Sequence, residues 1–282
     1  MPKLLDHTYG KHTVRVSKIL RNGDAPDRHG FVEATVDVEL KGAFDKSYTE
    51  ADNRSVIATD SIRNTVYAVA HADPWHSIES FGAALAGHFL TQYDHVSAAT
   101  VRLREHVWHR LSDHDHAFTG SDAETPTAEV SVERDGPLRV TSGIDDLMIA
   151  KTTQSGFENF VQDDYRSLPD TDDRILATVL RADWVYAEPK AQGFDFPAHR
   201  ASIRTALMSA FVDHYSVSVQ QTLYLMGSAA VQACPAIERI TLTMPNKHHL
   251  RFPLEKIGRE NPNGVFEVTD APAGFIQATV GR

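Results

Sequence analysis

Alternating hydrophobic and polar positions predict β-strands in the first part of the chain. The clearest run covers residues 32–40, in which every second side chain is apolar and those between are polar. This period of two gives a strand one dry face and one wet face. A shorter alternation covers residues 11–20, and the turn-rich segment 21–30 between the two runs predicts an antiparallel hairpin.

The hydrophobic period then lengthens to three and four residues, which is typical of helices. Residues 61–72 and 76–92 are predicted to be helical. The second of these helices has an apolar stripe formed by Ile78, Phe81, Leu85 and Phe89. Strand patterns return near residues 101–107 and 130–132, so the order is strand, strand, helix, helix, strand, strand.

The second half repeats this order without obvious sequence identity. The predicted elements are strands at 138–150 and 174–187, helices at 198–213 and 217–233, and strands at 238–254 and 273–281. Two ββααββ halves predict an α+β protein with domains at residues 1–137 and 138–282, each an antiparallel sheet with a helix pair on one face. Because small sheets have open edges, we expect closure by oligomerisation.

Composition narrows the function classes. The 282 residues are 41% hydrophobic, and no apolar run approaches the roughly 20 residues of a membrane span. The formal net charge of −10 argues against a nucleic-acid or anionic-membrane surface. Cys234 is the single cysteine, so an internal disulfide is excluded and a reducing compartment is expected.

Fifteen histidines raise the question of a metal site. His106 and His109 are predicted on a strand, and the run Asp113-His114-Asp115-His116 follows it; histidine and aspartate at these spacings can ligate zinc or copper. No third ligand set with a recognised spacing accompanies them, and a polar loop is the preferred interpretation. No metal is therefore predicted. The sequence also lacks a phosphate-binding GxxxxGK[ST] loop and a GxGxxG motif, so no nucleotide cofactor is predicted either.

Two segments place proton-transferring groups at element ends. Lys11 follows Tyr9-Gly10 at the start of the first strand; it is either a solvated edge residue or, if buried, a base. Thr59 and Asp60 precede a helix, where Asp60 or Ser61 is expected to be the N-cap and Thr59 could carry a proton.

Two further segments offer polar groups in the second half. Gln220 opens a helix and presents an amide donor and acceptor, although a simple first-turn role is the alternative. Residues 245–249, Pro-Asn-Lys-His-His, interrupt a strand pattern, and His248 there is either structural or catalytic.

Together these segments resemble the urate oxidase family. The matching stretches are Tyr9-Gly10-Lys11, ATDSIRNTVYA at 58–68, KTTQSGFENF at 151–160, DRIL at 173–176, SVQQTLY at 218–224 and PNKHH at 245–249. They occur in the family's order and span the chain. The resemblance implies two tandem tunnelling-fold domains per subunit and a homotetramer around a barrel-like tunnel, with active sites at subunit interfaces. It also implies oxidation of urate by O2 and water to 5-hydroxyisourate and hydrogen peroxide, without metal or organic cofactor.

The resemblance further implies roles for individual residues. Arg174 and Gln220 match the residues that grip urate from opposite sides, Phe157 matches the aromatic ring stacked on the purine, and the Val219 amide matches a carbonyl contact. A guanidinium fork and an amide suit a planar heterocycle with alternating donors and acceptors.

The remaining matches concern proton transfer and oxygen. Lys11 and Thr59 match a dyad contributed by the neighbouring subunit, and Asp60 offers its amide to the purine. Asn246, with Thr59, matches the site of O2 or water above the ring. His248 completes a proton relay with Lys11 and Thr59.

Two alternatives stay open at this point. One is a zinc-dependent pterin enzyme on the same fold, which needs His or Cys ligands beside the pocket. The other is a non-catalytic purine-binding protein, against which the joint presence of Lys11, Thr59 and His248 counts. The chain ends in Ala278-Thr279-Val280-Gly281-Arg282 rather than in a Ser-Lys-Leu peroxisomal signal, so a bacterial-type cytoplasmic location is expected.

Overall fold

The computed structural model describes residues 2–22 and 25–282 and shows a mixed α+β protein whose strands pair mostly antiparallel. The helices are α1 (Asp45–Thr49), α2 (Thr59–Ala72), α3 (Ile78–Gln92), α4 (Phe196–Val212) and α5 (Val219–Ala233). The strands are β1 (Tyr9–Asn22), β2 (Ala25–Gly42), β3 (Val96–Glu105), β4 (Val107–Arg110), β5 (Phe118–Ser121), β6 (Thr125–Glu133), β7 (Arg139–Lys151), β8 (Leu176–Tyr186), β9 (Ile237–Thr243), β10 (Asn246–Arg251), β11 (Phe266–Gly274) and β12 (Gln277–Gly281). A 3-10 helix covers Leu254–Ile257.

The contacts divide the chain into two compact units. The first comprises Met1–Gly143 with Val185–Ala198, and the second comprises Ile144–Trp184 with His199–Arg282. The domain boundary expected at residue 137 stays a prediction. None of the helices in the described residues combines the length and apolar character that a membrane span requires.

In the first unit, β1, β2, β3 and β6 pair antiparallel in that order. The alternation over residues 32–40 is confirmed, since Val36, Val38 and Leu40 are fully buried. The stripe of α3 is also buried, and a Cβ placed on Gly82 would lie 2.8 Å from Leu103 of β3 and 2.9 Å from Val130 of β6. Close packing of α3 on these two strands therefore forms the core of this unit.

Three features of the first unit differ from the sequence prediction. The turn predicted over 21–30 is mostly strand, because β1 continues to Asn22 and β2 begins at Ala25. Gly23 and Asp24 lie outside the described residues. The short helix α1 was not predicted. The predicted strand through residue 107 is wrong, because β3 ends at Glu105 and β4 pairs with β5 instead.

Aromatic packing accounts for the separate β4–β5 hairpin. The rings of Trp108 on β4 and Phe118 on β5 lie with their centroids 5.1 and 5.7 Å from that of Phe31. Such contacts join distant positions of the chain, so a local hydrophobic period does not reveal them.

In the second unit, β8 pairs with β10, β10 pairs with β11, and β9 pairs with β12. The helix stripe predicted for α4 is confirmed, since Ile203, Leu207 and Phe211 are buried. The single strand predicted over 238–254 is wrong, because it divides into β9 and β10 around Pro245, which has no N–H to donate to a ladder. The last predicted strand likewise consists of β11 and β12.

Candidate functional site

Arg174 lies just before β8 and is half-buried. Its guanidinium carbon lies 5.4 Å from the centroid of the Phe157 ring. Its Nε and Nη2 atoms are buried and have no hydrogen-bond partner among the described residues. Burial lowers the pKa of Arg174 from its ordinary value, but arginine remains charged in proteins. A half-buried cation with two buried, unused donors favours binding of a planar anion.

The main chain around Phe157 is tied to the segment that precedes α5. Ser155 and Ser216 form a parallel bridge, in which Gly156 N donates to Ser216 O at 2.8 Å. A Cβ on Gly156 would lie 2.9 Å from the main-chain oxygen of Thr171 and 2.3 Å from the Tyr215 hydroxyl, so a larger residue there would force these groups apart. The amide of Arg174 donates in turn to Ser155 O at 2.8 Å. Arg174, Phe157 and the start of α5 are therefore held together by main-chain bonds.

Val219 and Gln220 form the first turn of α5. Ser218 is the N-cap, and its hydroxyl accepts from Gln221 N at 3.1 Å. The Gln221 side chain accepts from Val217 N at 3.2 Å, so Gln221 rather than Gln220 takes the capping role. The Gln220 side chain is exposed. First-turn amides have no partner within a helix, so the Val219 amide can donate to a ligand.

Asn246 and His248 lie on β10, with Asn246 opposite Thr178 of β8. Asn246 Nδ2 lies 3.2 Å from His248 Nδ1, which then accepts and leaves its Nε2 as the protonated nitrogen. Asn246 Oδ1 and the Thr178 hydroxyl are buried with no hydrogen-bond partner in the described part of the chain. The pair thus offers an acceptor and a histidine next to each other.

Lys11 lies on β1 in the first unit and is half-buried. The strand approaches β2 so closely beside it that a Cβ on Gly10 would lie 1.7 Å from Val38 O. The Tyr9 hydroxyl accepts from Ile57 N at 2.9 Å. Because Tyr9 is two residues from Lys11 and Ile57 two residues from Thr59, this bond brings the two predicted segments together.

Thr59 and Asp60 are the first two residues of α2, and both are exposed. The predicted N-cap at Asp60 or Ser61 is wrong: Ala58 occupies the N-cap and makes no side-chain cap bond. The Asp60 carboxylate instead accepts from Asn64 at 3.1 Å and pairs with Arg63 at 2.9 Å. Its side chain is thereby turned along the helix, while its amide belongs to the uncapped first turn.

The histidine-rich segment has no metal-site geometry in the residues that the structure describes. His106 lies between strands, contrary to the prediction, and its Nε2 is 2.8 Å from the Thr35 hydroxyl. His109 lies on β4, and the rings of His114 and His116 make an edge contact at 4.5 Å. The preferred interpretation as a polar loop agrees with these contacts.

Several residues around the site were not identified from the sequence. Ser155, Ser216 and Thr222 are fully buried polar residues, and His214 contacts Thr222. Ser155 and Thr222 lie inside matched segments, which was an available signal, but His214 had none. Their role depends on the bridge between Ser155 and Ser216, two residues that are far apart in the chain.

Comparison with known proteins identifies the family. The family model described as Uricase matches residues 7–131 and 140–277. The chain is 39% identical over 274 residues to a uricase of Arthrobacter globiformis, covering 97% of this chain and 88% of that protein. It is 36% identical over 288 residues to a uricase of Dictyostelium discoideum, covering 100% and 98% of the two chains.

Solved structures agree. The crystal structure of uricase from Arthrobacter globiformis is similar with a TM-score of 0.94 and 37% identity, covering 100% of this chain and 96% of that one. A Bacillus sp. TB-90 urate oxidase structure, at 23% identity, shares the fold with a TM-score of 0.85. With the family model matching nearly the whole length and relatives well above 30% identical, this chain belongs to the uricase family.

Proposed function

We propose that this chain oxidises urate with O2 and water to 5-hydroxyisourate and hydrogen peroxide. Membership of the uricase family and the full-length relatives named uricase support an oxidoreductase that acts on urate. Atoms and electrons balance in this reaction: urate loses two electrons to O2, which becomes peroxide, and water supplies the new oxygen of the product.

The observation that carries the proposal is the buried guanidinium of Arg174, whose Nε and Nη2 have no partner in the described residues. Urate is a planar monoanion near neutral pH, and its carbonyl oxygens and ring nitrogens can use both donors. Phe157 lies beside the guanidinium and stacks at 4.7 Å on Phe160, so an aromatic surface adjoins the charge. Gln220 and the Val219 amide supply further polar contacts to the ring.

The chemistry requires removal of a second proton from urate before electrons pass to O2. We assign this to a relay of Lys11, Thr59 and His248, whose groups can accept a proton and pass it on. Asn246, with Thr59, holds O2 or water above the ring, and Asp60 offers its amide to the purine. The exposed first turn of α2 supports the assignments of Thr59 and Asp60, and the contact between Asn246 and His248 on β10 supports the assignments of those two residues.

Urate is electron-rich, so the proposal includes no metal or organic cofactor. The comparisons do not favour the zinc-dependent pterin enzyme, because the chain matches uricases over its full length. A non-catalytic purine binder would not need Lys11, Thr59 and His248 together.

The proposed assembly is a homotetramer of subunits with two tunnelling-fold domains, residues 1–137 and 138–282, that enclose a barrel-like tunnel. Lys11, Thr59 and Asp60 then come from the neighbouring subunit. The exposure of Thr59 and Asp60 supports their presentation to another chain. The cytoplasmic location stays a prediction.

The experiment is an activity assay after dialysis against a chelator. Purified protein is mixed with urate in air, and loss of urate absorbance is followed together with peroxide production. Stoichiometric peroxide that survives chelation is the expected result. Activity restored only by added metal would overturn the cofactor-free mechanism, and inactivity in both conditions would overturn the oxidase assignment.

A further inference from the structure

Three polar side chains form a hydrogen-bonded chain at the corner between α4 and α5. His214 Nε2 lies 3.0 Å from the Thr222 hydroxyl, and the Thr222 hydroxyl lies 2.7 Å from that of Ser216. Thr222 and Ser216 are fully buried. Since the last residue of α4 is Val212 and the first of α5 is Val219, this chain braces the connection between the two helices.

The acceptors fix the direction of each proton. His214 Nδ1 lies 2.7 Å from the carbonyl of Ala210, which can only accept, so Nδ1 carries the proton. Nε2 of the neutral ring then accepts from Thr222. The Thr222 oxygen in turn accepts from the Ser216 hydroxyl. The Ser216 hydroxyl also donates to Ser218 O at 3.1 Å, so its one proton is shared between the two acceptors.

The neutral form of His214 is favoured by its surroundings. Burial lowers the pKa of His214, the bond to Ala210 O opposes this effect, and the nearby charge of Lys151 lowers the pKa further. Lys151 Nζ itself donates to Phe211 O at 3.2 Å and to His214 O at 2.7 Å. The imidazole therefore remains an acceptor for Thr222 at neutral pH.

Ser216 connects this chain to the Arg174 segment. Its amide donates to Gln154 O at 2.9 Å, and its carbonyl accepts from Gly156 N at 2.8 Å. Ser155, between these two residues, accepts from Arg174 N. At the other end, Thr222 lies two residues after Gln220 in α5.

We propose that the Thr222 hydroxyl is a positioning group of the substrate site. Through its bond with Ser216 it fixes the spacing between Gln220 and Arg174. His214 accepts the Thr222 proton and thereby orients the hydroxyl. Thr222 does not need to touch substrate. The inference rests on the proposed function, in which Arg174 and Gln220 grip the same molecule.

The structure requires a hydroxyl at this place for its hydrogen bonds rather than for its shape. Valine has nearly the shape of threonine but cannot donate to His214 or accept from Ser216, so the half-buried imidazole and the buried Ser216 hydroxyl each lose a partner. The first turn of α5 would then shift relative to the Arg174 segment. Because binding by two opposed groups depends on their separation, a small shift weakens binding of a rigid ring.

The test compares Thr222→Val and Thr222→Ser with wild type. The measurements are KM and kcat for urate, the Kd of a purine analogue that is not oxidised, and the thermal unfolding midpoint. Thr222→Val is expected to raise KM and the analogue Kd by about tenfold with a smaller change in kcat. Thr222→Ser, which restores the hydroxyl, is expected to stay within about twofold of wild type.

Thr91→Val is the matched control, because the Thr91 hydroxyl bonds to Gly87 O within exposed α3 surface. It is expected to leave KM unchanged. Should Thr222→Val not fold, Ser216→Ala breaks the same chain from its other end and is expected to raise KM similarly.

Three results would overturn the inference: an unchanged KM and Kd in a folded Thr222→Val, a lower unfolding midpoint without a KM change, or a raised KM that Thr222→Ser does not restore. Failure of the proposed function is distinguishable, since wild-type protein would then produce no peroxide from urate, whereas failure of this inference leaves wild-type activity intact.

Discussion

The main-chain amide of Arg174 donates to the carbonyl of Ser155 at 2.8 Å. This bond fixes the Arg174 backbone through a peptide group, so the guanidinium is not needed to hold its own segment. Its buried Nε and Nη2 have no partner among the described residues and stay available to an anion. The main chain of Arg174 therefore holds the residue in place, while its guanidinium is left to bind the anion.

Replacing Arg174 by alanine is expected to weaken urate binding strongly. Loss of one partner of a buried charge-assisted contact costs about 2–5 kcal/mol, which corresponds to at least about a thirtyfold increase in Kd. The Kd of a non-oxidised purine analogue, measured by calorimetry, tests this directly.

Arg181→Ala is the control for that variant. Arg181 lies on β8, the strand that follows Arg174, but it is exposed and pairs with Asp183 at 2.7 Å. Its loss should leave the analogue Kd unchanged. An unaltered Kd in Arg174→Ala would place the anion site elsewhere.

Replacing Lys11 by methionine is expected to reduce kcat by at least about a hundredfold, because general-base catalysis contributes this much or more. Methionine keeps an unbranched side chain of similar bulk and removes the amine that transfers the proton, while Arg174 is retained to hold the anion, so the analogue should still bind. Lys41→Met is a suitable control, since Lys41 forms an exposed ion pair with Asp6 at 3.0 Å. Wild-type turnover by Lys11→Met would remove this residue from the relay.

Replacing Glu33 by glutamine is expected to destabilise the fold by about 1.5–3 kcal/mol. The Glu33 carboxylate is buried on β2, where it pairs with Arg15 and accepts from Trp108 Nε1 at 2.8 Å. Urea unfolding at neutral pH measures the change. Glu129→Gln, which breaks an exposed pair with Arg102, should cost less than about 1 kcal/mol.

The same residue predicts a pH dependence of stability. Burial alone would raise the pKa of Glu33, but hydrogen bonds from Arg15 and Trp108 outweigh it and lower the pKa in the folded protein. The free energy of unfolding therefore includes a contribution that is present above the unfolded pKa of about 4.3 and is lost as the pH falls through the folded value. The difference between wild type and Glu33→Gln should narrow over that range; a constant difference would contradict the assignment.

Lys18 is expected to stabilise the end of α2. Its Nζ donates to Ala70 O at 2.8 Å, to His71 O at 3.1 Å and to Asp73 O. A cation bonded to the last carbonyls of a helix satisfies groups that have no helical partner and favours the helix dipole. Lys18→Met should lower the free energy of unfolding by about 1–3 kcal/mol, and an unchanged urea midpoint would contradict this role.

The elements that local periodicity can reveal were predicted well. Val36, Val38 and Leu40 on β2, and the stripe of α3, are buried as the sequence indicated. The spacing of hydrophobic residues depends only on positions close together in the chain, so it can be read without knowledge of the fold. The extents of β1 and β2 and the break at Pro245 were less well predicted, because strand ends depend on pairing partners.

The sequence by itself determined the fold class, the predicted order of strands and helices, and the motifs that identify the uricase family. Only the tertiary structure decided that α2 begins at Thr59 with no side-chain cap from Ala58, that His106 lies outside a strand, and that Ser216 joins the start of α5 to the Arg174 segment. These features depend on hydrogen bonds between positions far apart in the chain. Which polar groups form hydrogen bonds with each other depends on how whole helices and strands pack, and a local pattern of residues does not contain that information.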